Sequence, residues 1–528
     1  MDKRPLGVNI SHMLKERGVD VVFGIPGVHN IELYRGIEQA GITHILPRHE
    51  QGAGFMADGY ARATGKPGVA FVISGPGLCN IMTPMGQAYS DSVSMLVISS
   101  CLGNDDRNMG GGRLHEMKNQ EEAAATVCDW SVTAPSPKAA YRLIDKAFAE
   151  FGACRPRPKH IQVPIDVLGA DSEQPPEAPM LPAKPVARPE DIAAAAEWLL
   201  GARRPMFIFG GGAASGFEAA RKLVRLSRAA SMCSFAGRGV IAPDYPLNFG
   251  ECTARAGSAD ELAKADLLIC IGTEMADYDW RREDFGYDAP LIRVDIDAHT
   301  LADNHSADLP IMGDAAAFMQ DVCDLIEGQN VTTDWTADEV RKAKAQFHID
   351  AAASRPGSAE FLDCIQQAVP KGTMFYSDMT QFAYVGKEIY PVDRPNLWHH
   401  PYGFGTLGYA LPAAIGGKIG RPGTPVVVIA GDYGFQFTVQ ELGVAVELGL
   451  SLPIILWDNS KLGEIEDSMQ RSQINPIAIT ARNPDFCALA QAYGANAVQP
   501  ASKAELTEML KAALKADGPT LIRVTSDI

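Results

Sequence analysis

The chain has 528 residues, is 46% hydrophobic and carries a net charge of −17, a composition that fits a soluble globular protein and excludes a disordered one. So negative a chain is a poor partner for a nucleic-acid backbone, and no apolar run reaches the roughly 18 residues of a membrane span. The length fits roughly three domains of about 100 to 200 residues each.

Ten cysteines are scattered from Cys79 to Cys487 without a Cys-x-x-Cys pair, which predicts small buried residues in a reducing compartment rather than a disulfide frame or zinc site. The start, Met1-Asp2-Lys3-Arg4-Pro5, lacks a following signal-peptide core, so a cytoplasmic protein is expected.

Arg48 to Arg62 is a run of small residues after an acid, Glu50, and ends in Gly59-Tyr60-Ala61-Arg62. A predicted strand, 68–73, leads into the loop Ser74-Gly75-Pro76-Gly77-Leu78-Cys79-Asn80. Asp171 to Asp191 contains six prolines, a density that excludes helix and predicts an extended linker. Beyond it a helix over 192–200 leads into a strand and the turn Gly210-Gly211-Gly212, with further strands at 267–271 and 291–296. The triple glycine alone is weak evidence for a dinucleotide. A polar stretch, Glu327 to Ser358, holds a charged helix candidate that carries the chain to a third domain. The predicted architecture is α/β, with three doubly wound parallel-sheet domains at residues 1–170, 189–328 and 358–528.

In the third domain, Val426-Val427-Val428-Ile429-Ala430 reads as a buried parallel strand that delivers Gly431 and Asp432 to its carboxyl end, where open α/β sheets hold ligands. A helix over 439–448 and a second strand, 453–457, bring Asn459 to the same edge. Two hard oxygen donors then suit Mg²⁺ or Ca²⁺, and because Mg²⁺ takes few protein ligands the spacing suggests a metal-bridged diphosphate. Read alone, Gly431-Asp432 is better taken as a strand-end turn and Asn459 as a helix cap.

The Gly-Asp to Asn spacing resembles the diphosphate anchor of thiamine diphosphate (ThDP) enzymes of the acetolactate synthase and pyruvate decarboxylase type. Arg48 to Arg62 resembles their glutamate motif, and Ser74 to Asn80 their pyrimidine-side loop. The resemblance implies pyrimidine-binding, central and diphosphate-binding domains in that order. It implies that Glu50 shares a proton with the cofactor pyrimidine, near which Pro76 and Asn80 lie. A buried carboxyl beside a neutral heterocycle suits that exchange.

The segment Pro401 to Gly416 resembles the family's propping segment, with Leu407 as the wedge under the folded cofactor and the Gly405 carbonyl facing its 4'-amino group. Ser377-Asp378-Met379-Thr380-Gln381 resembles a diphosphate-contacting segment, with Thr380 and Gln381 as donors and Asp378 as a loop-orienting acid. Asp432 and Asn459 side chains and the Lys461 backbone carbonyl are the implied Mg²⁺ ligands, with Gly434 in the same turn. Tyr433 stands where most of the family has glycine and is expected to pack there. In the central domain, Gly272 to Trp280 lacks the two arginines that mark FAD-binding members, which argues against FAD.

Within the family, the segments Phe23 to His29, Arg48 to Arg62, Gly272 to Asp277, Asp378 to Gln381 and Thr406 to Tyr409 resemble 5-guanidino-2-oxopentanoate decarboxylases, so decarboxylation of a 2-oxo acid to an aldehyde and CO₂ is the expected reaction. A cationic substrate calls for acids, and Glu464 and Asp467, three apart on one helical face, are the candidates, with Glu466 pointing elsewhere. They read equally as acids opposing a helix dipole. Ile465 lies where pyruvate decarboxylase has a catalytic glutamate, so a decarboxylase needs another proton donor; the resemblance implies that the loop carrying His115, Glu116 and Gln120 reaches the same pocket, which makes these three the candidates. The alternatives are a carboligase of the acetolactate synthase or glyoxylate carboligase type and, against the retained Glu50, Asp432 and Asn459, a non-catalytic ThDP-fold subunit. The family architecture implies a homo-oligomer, a dimer or dimer of dimers, with active sites between chains.

Overall fold

The computed structural model describes residues 3–303 and 305–528. Three six-stranded sheets organise them. The first holds β1 (Val21–Gly24), β2 (Thr43–Ile45), β3 (Gly68–Val72), β4 (Met95–Cys101), β5 (Trp130–Thr133) and β6 (Lys159–Pro164) in the order β2-β1-β3-β4-β6-β5, all parallel. The central sheet holds β7 (Pro205–Phe209), β8 (Ala230–Cys233), β9 (Asn248–Gly250), β10 (Leu267–Ile271), β11 (Leu291–Asp295) and β12 (Leu309–Met312) in the order β9-β8-β7-β10-β11-β12, again parallel. The last holds β13 (Met374–Ser377), β14 (Trp398–His399), β15 (Val426–Gly431), β16 (Leu452–Trp457), β17 (Asn496–Val498) and β18 (Pro519–Val524) in the order β14-β13-β15-β16-β18-β17. The first and last sheets therefore repeat one strand order, while the central one has the order of doubly wound dinucleotide-binding folds.

The chain forms two compact units. One comprises residues through Ala183, Phe375–Thr380 and His399–Ile528; the other comprises Lys184–Met374 and Gln381–Trp398.

In the first unit, the helices Glu50–Thr64 and Ala410–Gly420 cross at backbone contact. A Cβ on Gly59 would lie 1.9 Å from the Ala413 carbonyl oxygen, and one on Gly416 would lie 1.9 Å from that of Met56. The glycine of the Gly-Tyr-Ala-Arg run is thus required by packing between the first and last sheets' helices. The inner strands β1, β3, β4 and β6 are buried at every position, and so is β15, Val-Val-Val-Ile-Ala-Gly, which is why it reads as an unbroken apolar run.

In the second unit, alternate residues of the inner strands β7 and β10 enter opposite cores. Phe207, Phe209, Ile269 and Ile271 face one, and Met206, Ile208, Leu268 and Cys270 face the other, as a sheet with helices on both faces demands. The triple glycine is a packing device: a Cβ on Gly210 would sit 2.1 Å from the Gly272 carbonyl oxygen, and one on Gly212 would sit 2.9 Å from the Gly272 Cα.

Three local expectations are adjusted. The proline tract is free of helix or strand only between Ser172 and Pro189: Asp171–Ser172 pairs with Arg4–Pro5, and Pro189 opens the helix Pro189–Gly201, where its missing N–H costs nothing. The charged stretch yields the helix Ala337–Ser354, started by a Thr336/Glu339 capping box. The helix expected over 439–448 is split into a 3₁₀ turn, Val439–Glu441, and the helix Leu442–Glu447.

Candidate active site

The functional candidates gather at the carboxyl edges of the first and last sheets. Glu50 is in the first turn of Glu50–Thr64, whose N-cap, His49, accepts from the Gln51 N–H (3.1 Å). Glu50 is nevertheless 9% exposed, so it is no ordinary solvated helix-end acid. Asn80 Nδ2 donates to its Oε2 (2.9 Å), and a Cβ on Gly77 would lie 3.3 Å from its Oε1. Pro76 occupies the first turn of the helix Pro76–Ser90 after Gly75, whose φ of 67° and proximity to the His115 carbonyl both demand glycine.

The turn that presents Glu50 is held by a residue the sequence reading overlooked. Both Glu441 carboxylate oxygens accept from the Arg48 N–H (3.1 Å each), and a Cβ on Gly52 would meet Oε1. Glu441 is fully buried, and burial pushes its carboxyl up to about 7, with the Glu50 charge adding to the rise. An acid inside the apolar run Val439 to Val446 was the available signal.

The three proton-donor candidates separate. Gln120 is corrected: its buried amide accepts from the Gly75 N–H (2.9 Å) and donates to Ser99 Oγ, the Ser100 carbonyl and Gln162 Oε1, so it holds the glycine loop and has no proton to give. Glu116 folds onto its own loop and accepts from the backbone N–H groups of Gly111, Gly112 and Arg113. His115 remains, half-buried at φ 62°, its ring edge-on to His29 at 4.9 Å. His29 hydrogen-bonds Ser74 Oγ (3.3 Å); burial, then the His115 charge, lowers its pKa.

At the last sheet, β15 delivers Asp432, 3% exposed, into the helix Asp432–Phe437. Its Oδ1 accepts from the Tyr433 N–H (3.0 Å) and its Oδ2 from Asn483 Nδ2 (2.7 Å), while the same amide donates to Asp458 Oδ1 (2.8 Å). Burial foremost, with the Asp458 charge adding, raises the Asp432 pKa. Arg523 neutralises Asp458, and among the described residues no cation pairs with Asp432. Asn459 Oδ1 accepts from the Lys461 N–H (3.2 Å) across Ser460, which adopts φ 57°, a tight turn that fixes both candidate donors. A buried carboxylate short of positive charge fits a hard dication. Among the described residues no three His, Cys, Asp or Glu side chains form a metal cage.

Tyr433 fills its unusual position by directing its hydroxyl to the Ile479 carbonyl (3.4 Å). Gly434 is required because a Cβ there would lie 2.6 Å from Asp378 Oδ2. Buried Asp378 accepts from the Gly408 and Met379 N–H groups (2.9 Å each), and burial pushes it to about 6. It therefore ties the Gly408 loop to its own. Thr380 lies against Gly431, and Gln381 opens the helix Gln381–Ile389. Gly405 has φ 67°, and Leu407 is half-exposed rather than core.

The helix Gly463–Arg471 carries Glu464, which pairs with Arg471 (3.3 Å), and Asp467, both half-buried; Glu466 is turned to Lys461.

Residues 6–123, 192–322 and 378–524 match, in turn, the N-terminal TPP binding domain, the central domain and the C-terminal TPP binding domain of thiamine pyrophosphate enzymes. A probable 2-ketoarginine decarboxylase of Pseudomonas aeruginosa is 43% identical over 98% of this chain and 93% of that protein. The acetolactate synthase large subunit of Haemophilus influenzae is 30% identical over 95% of this chain and 90% of its own, and the isozyme 2 large subunit of Escherichia coli 28% over 98% and 95%. With three domain matches in order and relatives aligned nearly end to end, this chain belongs to the thiamine pyrophosphate enzymes.

Proposed function

We propose that the chain is a ThDP- and Mg²⁺-dependent decarboxylase that takes a 2-oxo acid and a proton to CO₂ and the aldehyde one carbon shorter, with 5-guanidino-2-oxopentanoate (2-ketoarginine) as substrate. The observation that carries this reading is the buried Glu50 carboxyl, bonded by Asn80, in a chain 43% identical throughout to a probable 2-ketoarginine decarboxylase. Bound ThDP supplies a nucleophilic carbon and takes up the electron pair left when CO₂ departs.

The chain's own residues bind, orient and move protons. Glu50 exchanges a proton at a pyrimidine ring nitrogen, with Pro76 and Asn80 beside it. The Gly405 carbonyl and Leu407 set the angle between the cofactor rings. Asp432, Asn459 and the Lys461 carbonyl hold Mg²⁺, while Thr380, Gln381, Tyr433 and Gly434 border the diphosphate. His115 gives the proton that replaces CO₂, and Gln120 acts through Gly75 as a positioning residue. Glu464 and Asp467 receive the guanidinium. The working form is a cytoplasmic homodimer or dimer of dimers in which Glu50 and Asp432 of one site come from different chains.

A carboligase is the second reading, favoured by the acetolactate synthases at 28 to 30% identity over more than nine-tenths of this chain. Incubation with ThDP, Mg²⁺ and a panel of 2-oxo acids separates the two. CO₂ with an equal amount of guanidino aldehyde supports the decarboxylase; a two-carbonyl condensation product from pyruvate or glyoxylate supports the carboligase.

A further inference from the structure

The loop Tyr402–Tyr409 is pinned by side chains from the amino-terminal part of the same chain. Asp91, at the end of the helix Pro76–Ser90, accepts from the backbone N–H groups of Tyr402 (3.2 Å) and Gly403 (2.9 Å). The same carboxylate accepts from Arg62 Nη2 and from Gln87 Nε2, both at 2.8 Å. Gln87 Oε1 in turn accepts from the Thr406 N–H (3.4 Å) and hydroxyl (3.2 Å). Arg62 also donates to Asp58 (2.6 Å), which accepts from the Tyr409 hydroxyl (2.9 Å). Asp58, Gln87 and the Asp91 side chain are essentially excluded from solvent.

Burying two carboxylates around one guanidinium is costly unless every lone pair finds a donor, and here the remaining acceptor sites are spent on one loop. The pinned positions are 402, 403, 406 and 409, with Gly408 held by Asp378. The residues between them stay open: Phe404 is 51% exposed against Gly86, and Gly405 and Leu407 are half-exposed. We propose that Asp91 and Gln87, charge-balanced by Arg62 and Asp58, are positioning residues that fix the backbone on which Gly405 and Leu407 are presented to the cofactor. The inference rests on the assignment of those two residues to the ThDP site.

The test uses the full-length enzyme and the variants Asp91→Asn, Gln87→Leu, Thr406→Val and Thr406→Ser. Hydrogen exchange without cofactor reads the clamp alone: amides of 402–408 exchange about tenfold faster or more in Asp91→Asn and Gln87→Leu, while the helix Glu50–Thr64 keeps its protection. Calorimetry with ThDP and Mg²⁺ shows about tenfold weaker binding, and at saturating ThDP kcat falls about tenfold while substrate KM changes less than about twofold. Thr406→Val reproduces a smaller form of the defect, and Thr406→Ser, which keeps the hydroxyl, reverses it. Thr406→Val covers the case in which Asp91→Asn does not fold. If the parent binds ThDP and turns over while variants with faster loop exchange keep parental ThDP affinity and kcat, the positioning role is overturned. Unchanged loop exchange overturns the clamp itself. Failure of the parent to bind ThDP contradicts the cofactor assignment and is told apart by that arm.

Discussion

Asn80 donates its side-chain amide to Glu50 across 2.9 Å, joining the start of one helix to the first turn of another over the carboxyl edge of the first sheet. Glu441 holds the Arg48 N–H just before Glu50. One carboxyl is thereby placed by two neighbours from distant parts of the chain, and each makes a different demand on experiment.

The Glu441 contact predicts a pH-dependent stability. Its carboxyl lies at about 7 in the fold, against 4.5 for the free side chain, because burial disfavours the charge. The protonated fold is favoured, so this contribution is complete below about pH 4.5 and is lost as pH rises through about 7. Chemical denaturation at a series of pH values should show the parent losing stability against Glu441→Gln across that window, by at most on the order of 3 kcal/mol. A constant difference between the two proteins from pH 4.5 to 7.5 contradicts it.

Asp432→Ala is expected to abolish Mg²⁺-dependent ThDP retention, since the diphosphate loses its charge-neutralising bridge. Calorimetry with and without chelator reads this directly. Equal ThDP affinity in parent and variant under both conditions rules out the metal assignment.

Much of this site was legible beforehand. β15 announced itself because a strand buried on both faces is an unbroken apolar run, and Glu50, Asp432 and Asn459 lay in short local motifs. Contacts between distant segments left no such mark. Glu441 meets Arg48 from 393 positions away, and Asn483 reaches Asp432 from 51 away, so neither partner could be read from spacing. Gln120 looked like a loop donor because sequence shows an amide but not that four groups within one domain already saturate it. The packing of the central glycines is equally invisible in sequence: Gly210 and Gly212 lie against Gly272, about 60 positions on.

The assignment of one site to two chains predicts complementation. Glu50→Gln and Asp432→Ala proteins, each inactive, should recover part of the parental activity when mixed under conditions that exchange subunits. Absence of recovery after exchange is verified by mass spectrometry places both residues of a site in one chain.

Specificity should follow charge if Glu464 or Asp467 receives the guanidinium. Glu464→Gln or Asp467→Asn is expected to lower kcat/KM for 5-guanidino-2-oxopentanoate by about 1.5 to 3 kcal/mol at whichever position makes the contact, with pyruvate little changed. Glu464 must exchange its Arg471 partner for the substrate. Parental selectivity in both variants returns the two acids to the role of helix-end charges.

The most direct measurement is CO₂ release from 5-guanidino-2-oxopentanoate by the parent and Glu50→Gln, each saturated with ThDP and Mg²⁺ and each checked for bound cofactor. The account predicts that the parent forms one aldehyde per CO₂ and that the variant, still folded and loaded, is slower by roughly 10² to 10⁴-fold. Near-parental turnover by Glu50→Gln, or a parent that releases no CO₂ from this substrate, contradicts it.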